Sequence, residues 1–179
     1  MNRRLVLGLA ASIPAGLLKA RAAVAASADN RPSSDSPLHR YIGSWRGEVT
    51  VQSPGKASVR YVQENTFSWT LGGHFMEERG TDSNGGAFAG IWAFDANTNK
   101  YRAHYFVAPS GDDVVLLHAW NPGKKGFFGS AELGGGMTML VEDRFLGRDA
   151  YIWTMTIQDQ NGTTLSRTEG KEQRAQRGS

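Results

Sequence analysis

The sequence predicts an all-β chain: about ten antiparallel strands closed into an up-and-down barrel, with a short helix ahead of the first strand. Three observations predict it. From Gly43 onward apolar residues recur with period two, the spacing of a strand with one buried face. Clusters of Gly, Asn, Asp and Pro interrupt that pattern at strand-length intervals, so helices have little room. The connectors are short, which makes successive strands antiparallel neighbours, and ten such strands leave exposed edges unless the sheet closes on itself. At 179 residues, 40% hydrophobic and 21% charged, the chain suits one or at most two globular domains.

The elements follow in order. Residues 29–36 are polar, include Pro32 and read as a flexible leader. Ser36-Pro37 supplies an N-cap and a proline at the first helical position, with Leu38, Tyr41 and Ile42 on one face, so a short helix should plug one barrel end. Strands are predicted over residues 45–52, 58–71, 74–81, 88–94, 101–107, 114–120, 127–133, 137–145, 151–158 and 164–172. Their connectors, among them Pro54-Gly55, Asn84-Gly85-Gly86, Ser110-Gly111-Asp112 and Asn161-Gly162, hold residues that tolerate positive φ or preset a turn. The eighth segment also fits a helical face through Met137, Leu140, Val141 and Phe145, but its length and flanking glycines favour a strand. The barrel domain should span 37–172, with 173–179 a polar, disordered tail.

Residues 1–28 read as a signal peptide. Arg3 and Arg4 make a basic start, residues 5–18 are apolar apart from Ser12, and Ala26-Ser27-Ala28 offers a small-x-small site for cleavage before Asp29. The arginine pair, the modest apolar run with Gly8, Pro14 and Gly16, and Lys19 and Arg21 resemble a twin-arginine export signal, with the general secretory route as the alternative. Cleavage removes four of the 20 Lys+Arg and none of the 17 Asp+Glu, so the formal charge moves from +3 to −1. The remaining chain lacks the positive surface that displaces counterions from phosphates, and no nucleic-acid partner is expected. No other apolar run reaches the roughly 18 residues of a membrane span. A soluble, periplasmic or secreted protein follows, and without cysteine its core must suffice unaided by disulfides.

Gly43-Ser44-Trp45-Arg46-Gly47 resembles the G-x-W-x-G opening of calycin barrels, which include lipocalins, fatty-acid-binding proteins and nitrobindin-like proteins. With the segments from Trp69 to Glu77 and from Gly90 to Asp95, and with Lys100-Tyr101, it is similar to an uncharacterised bacterial family of small lipocalin-like barrels. The resemblance covers residues 38–172 and implies the barrel more than any activity. It further implies that Trp45 packs at the closed end under an arginine of the last strand, Arg167 or Arg174. Gly43, Trp45, Gly47 and Arg167 then make a structural signature. Nitrobindin-like barrels hold haem through a histidine close to the C-terminus, whereas the last histidine here is His118, so no cofactor is expected.

Two hairpins could carry chemistry. A two-residue turn at Asn84-Gly85 would set Glu77 opposite Trp92, Phe75 opposite Phe94 and Arg79 opposite Gly90. Facing inward, Glu77 would be a polar handle or an acid/base group among aromatics. Facing outward, it would pair with Arg79. An odd loop centred on Gly111 would set His104 opposite His118, two imidazoles suited to proton transfer, whereas an even loop would send them to opposite faces. His39, His74, His104 and His118 show no metal-ligand spacing, so no metal site is expected. Nor is there a nucleophile elbow or a phosphate loop.

All 18 aromatic residues lie beyond the signal segment. A ten-stranded barrel is wide enough for an interior cavity, and an aromatic lining suits a flat or apolar small molecule. The first reading is therefore a carrier of a small hydrophobic or aromatic molecule. Trp69, Phe75, Trp92 and Trp120 would be its packing contacts, and Glu77, His104 and His118 its orienting polar groups. The alternative is an isomerase, cyclase or lyase using Glu77, His104 or His118 as acid/base.

Overall fold

In the computed structural model, which describes residues 35–175, ten antiparallel strands close into one barrel. They are β1 Gly43–Gln52, β2 Val59–Thr70, β3 Phe75–Asp82, β4 Ala87–Asp95, β5 Lys100–Ala108, β6 Asp112–Asn121, β7 Gly126–Leu133, β8 Met137–Phe145, β9 Ala150–Gln158 and β10 Thr164–Arg174. Each strand pairs with the next in sequence, and β10 returns to pair with β1, so no edge is left open. Every boundary falls within two residues of the sequence-based one. The segment with mixed periodicity, β8, is a strand paired on both sides. The expected signal peptide and most of the leader lie outside the described residues.

One end is closed by the segment before β1. Where a short helix was expected, the chain makes a single 3-10 turn, Pro37–Arg40, with the Ser36 hydroxyl accepting from Leu38 N at 3.4 Å. Leu38 and Tyr41 are fully buried at this plugged end. Tyr41 sits among Phe67, Phe145 and Tyr151 at ring-centroid distances of 4.9, 4.9 and 5.5 Å, geometries that stabilise beyond area burial alone. The hydrophobic core is concentrated here, and the other half of the barrel is left to the cavity.

The arginine over Trp45 is Arg174, which corrects the assignment to Arg167. The guanidinium carbon of Arg174 stands 4.3 Å from the Trp45 ring centroid, while its nitrogens donate to Ile42 O at 2.6 Å and Arg40 O at 3.1 Å. Trp45 and Arg174 are direct cross-strand partners because β10 runs two residues beyond its expected end, through Gln173. Arg167 faces outward and pairs with Glu169 at 2.6 Å. Gly43 has a positive φ of 127°, and a Cβ there would stand 2.5 Å from the Arg174 guanidinium. The opening glycine and the closing arginine thus occupy each other's space.

Candidate functional site

The barrel interior holds a cavity of about 360 Å³, reaching from the open strand ends at Asp82, Ala87, Val107 and Val114 down to Tyr41 and Phe67. This is the lower range of small-molecule pockets and about a dozen times a water molecule's share of liquid volume. A wider trough on the outside of β7–β10 and β1 is open, and its charged residues, such as Glu142, Arg144 and Lys171, face solvent.

The cavity wall is shaped by glycines. Five inward positions, Gly47, Gly80, Gly90, Gly129 and Gly170, stand directly across the sheet from Glu172, Phe88, Tyr105, His118 and Trp153. At each, a Cβ would come within 2.7 Å of the partner's side chain, so each large group lies over bare backbone instead of standing into the lumen. A barrel that would otherwise be filled by side chains keeps room at its centre.

Polar groups are set into this apolar wall. Glu78 accepts from Tyr105 OH at 2.6 Å and Trp92 Nε1 at 3.3 Å. Asp143 accepts from Tyr41 OH at 2.7 Å, and behind the wall Glu172 accepts from Trp153 Nε1 at 3.3 Å. Burial disfavours the charged carboxylates and pushes Glu78 up to about 8 and Asp143 and Glu172 up to about 7. The same desolvation pushes His118 down to about 3, so its imidazole is neutral. Among the described residues, four buried side-chain atoms have no protein partner: both ring nitrogens of His118, Asn65 Oδ1 and Glu172 Oε2.

Of the seven residues expected to contact a ligand, Trp92 and His118 line the cavity and lie together, with ring centroids 4.4 Å apart. Trp69 and Trp120 sit instead at the plugged end. Trp69 donates to His39 Nδ1 at 3.3 Å, and Trp120 packs on Phe127 with Arg40 over its ring. Phe75 and Glu77 occupy the outer face of β3, where Glu77 accepts from Arg79. His104 is also outside, 2.8 Å from Asp113.

Both corrections come from loop length. The β3–β4 loop is three residues, Ser83 to Gly85 with Gly85 at a φ of 88°, not the two of a tight Asn-Gly turn. Glu78 therefore faces Gly90, Met76 faces Trp92, and Glu77 turns outward. The β5–β6 loop has four residues between Val107 and Asp112, so His104 pairs with Val115 and His118 with Tyr101, on opposite faces. The sequence reading missed Glu78, Asp143, Asn65 and Tyr105. The strand glycines carried the missing signal, since Gly80 lies on the same face as Glu78 and marks it as the face where a neighbour approaches closely.

Among the described residues, no group of three His, Asp or Glu side chains converges to hold a metal ion, and no helix is long and apolar enough to cross a membrane.

No protein-family model matches the chain, and no curated protein does. Solved structures do. Rv2717c from M. tuberculosis superimposes with a TM-score of 0.62 at 13% identity, over 78% of this chain and 95% of that one. The S-type phycobiliprotein lyase CPES from Guillardia theta gives 0.57 at 12%, over 79% and 92%. A protein of unknown function from the DUF3598 family of Nostoc punctiforme PCC 73102 gives 0.56 at 12%, over 77% of this chain, which spans only 49% of that protein. At such identities the likeness to all three is one of fold alone.

Proposed function

We propose that this protein is exported, processed after Ala28, and carries a small, largely apolar or aromatic molecule inside its barrel. One observation carries the reading: a cavity of about 360 Å³ inside the barrel whose wall presents Asn65 and His118, each almost wholly buried, with polar atoms that no protein group meets. Unmet buried polar groups cost about 1–3 kcal/mol each, and a bound molecule that satisfies them recovers that loss. Trp92, Phe88 and Tyr105 supply the apolar contact.

The test is native against denaturing mass spectrometry on protein purified from its own host. A small mass released on denaturation, from a chain beginning at Asp29, is the expected result. A bare native mass would remove the tight-carrier reading, and an intact N-terminus would remove the processing.

A second reading rests on the place of Glu78 in the cavity wall, held by Tyr105 and Trp92, where burial pushes its carboxyl up to about 8, into the range of a general acid or base. The version built on Glu77 or His104 is lost with their outward orientation. Turnover abolished by Glu78→Gln would favour an isomerase, cyclase or lyase over a carrier.

A further inference from the structure

The donors and acceptors around the cavity do not balance. Four aromatic donors are already engaged by carboxyl groups: Tyr105 and Trp92 by Glu78, Tyr41 by Asp143, and Trp153 by Glu172. At the cavity wall the acceptors left without a protein partner are Asn65 Oδ1 and one nitrogen of the neutral His118 ring. Two buried carboxyl groups, Glu78 on β3 and Asp143 on β8, line the cavity, Glu172 on β10 lies behind its wall, and among the described residues no Lys or Arg side chain lines it. Asp82 adds a further acidic group at the mouth.

Resting on the carrier reading above, we infer that the ligand is a small organic cation, an amine whose ammonium is received by Glu78 and Asp143 while its apolar body packs on Trp92, Phe88 and Tyr105. An ammonium brings three donors and no acceptor, and the wall offers it the carboxyl oxygens of Glu78 and Asp143 together with the open acceptors of Asn65 and His118. Its charge is compensated by carboxylates at close range in a low-dielectric interior, and aromatic faces attract cations further. An anion would meet the acids Glu78 and Asp143 and no Lys or Arg. The sieve is thus opposite in sign to that of a fatty-acid carrier.

The amine also couples binding to protons. The imidazole and phenol groups inside the cavity keep one state through neutrality. His118 is held uncharged by burial, and Tyr41, Tyr105 and Tyr151 are pushed above their ordinary value of 10.0 by burial and the neighbouring acids. Tyr61 is raised likewise at the mouth. The groups left to titrate are Glu78 and Asp143 in the wall and Glu172 behind it, and the cation converts the first two to carboxylates with release of protons.

Isothermal titration calorimetry with tryptamine, tryptophol and indole-3-acetate, three molecules of one shape and different charge, tests this together with the released-mass measurement. Tryptamine should bind at least tenfold tighter than tryptophol, indole-3-acetate weakest of all. Tryptamine binding should release protons, read from its dependence on buffer ionisation enthalpy, and should tighten at least tenfold between pH 6 and pH 8. Glu78→Gln, which keeps an acceptor for Tyr105 and Trp92, should remove the preference for tryptamine over tryptophol. Asp143→Asn is the second variant should Glu78→Gln fail to fold. If tryptophol or indole-3-acetate binds as well as tryptamine, the cation assignment is overturned and the carrier reading stands. If none of the three binds, the released molecule decides: an amine supports the assignment, and a neutral or acidic molecule overturns it. No binding and no released molecule overturns both.

Discussion

The imidazole of His118 lies flat on the backbone of Gly129, its cross-strand partner: a Cβ on residue 129 would stand 2.5 Å from Nδ1, 2.7 Å from Cε1 and 2.9 Å from Cγ. The ring is rigid and buried, with Trp92 packed at a centroid distance of 4.4 Å, so it has nowhere to yield except into the cavity. Gly129→Ala should therefore destabilise the protein by about 1–3 kcal/mol and shrink the binding volume. Gly134→Ala, where a Cβ meets nothing within 4 Å, should leave the urea midpoint unchanged or slightly raised. Equal midpoints for the two variants would mean that the His118 ring does not lie on residue 129.

The same ring separates stability from binding. Neither nitrogen of His118 has a protein partner, so the free protein carries an unmet polar group at the centre of its fold. His118→Leu removes that penalty while keeping an apolar contact for Trp92. Its folding stability should match or exceed the parent's by up to about 1 kcal/mol, while ligand retention in native mass spectra falls. A large loss of stability would instead show that the nitrogens are satisfied in the free protein.

The strands were legible because two local signals coincide: period-two apolar spacing fixes where a strand runs, and turn residues fix where it stops. Register was not legible to the same degree, because it hangs on the length of each loop. One extra residue between Asp82 and Gly86 exchanges Glu77 for Glu78 at the cavity, and an even β5–β6 loop separates His104 from His118. Adjacent glutamates are indistinguishable by composition. Trp69 and Trp120 illustrate a different limit: both pack toward the barrel's plugged end, and their depth along the axis is set by the segment Pro37–Arg40, which no strand pattern reports. Asp143 carried no signal in β8, whose mixed periodicity left its faces unassigned until both neighbours were in place.

Arg174 holds the plugged end together, and Arg167 does not. Arg174 donates to two carbonyls of the plug segment, Ile42 O and Arg40 O, reaches Arg148 O and Asp149 on the β8–β9 side, and covers the Trp45 ring. Arg174→Met keeps the length but leaves those carbonyls unmet, and should cost about 1.5–3 kcal/mol, the range for hydrogen bonds to a charged group. Arg167→Met breaks only an exposed pair with Glu169 and should cost less than about 1 kcal/mol. Thermal melts of the two variants side by side make the comparison, and the reverse order would return the signature to Arg167.

Stability should also depend on pH in a way that exposed carboxylates would not produce. Burial keeps Glu78 protonated to about pH 8 and Asp143 and Glu172 to about pH 7, whereas their ordinary values are 4.5 for glutamate and 3.8 for aspartate. Through that window the folded protein binds more protons than the unfolded chain, so these groups stabilise most fully below their unfolded values and lose that contribution as pH rises, until all three are ionised above pH 8. His118 acts in the other direction. Its folded value of about 3 against an ordinary 6.5 gives a contribution that is complete above pH 6.5 and lost as pH falls toward 3. Three carboxyl groups outweigh one imidazole between pH 4.5 and 6.5, and above 6.5 the carboxyl groups act alone. The urea midpoint of the ligand-free protein should accordingly be higher at pH 5 than at pH 8, with Glu78→Gln flattening the difference. A midpoint that rises toward pH 8 would mean that the interior acids are already ionised and solvated, and the cavity would then be a wet channel, not a dry binding chamber.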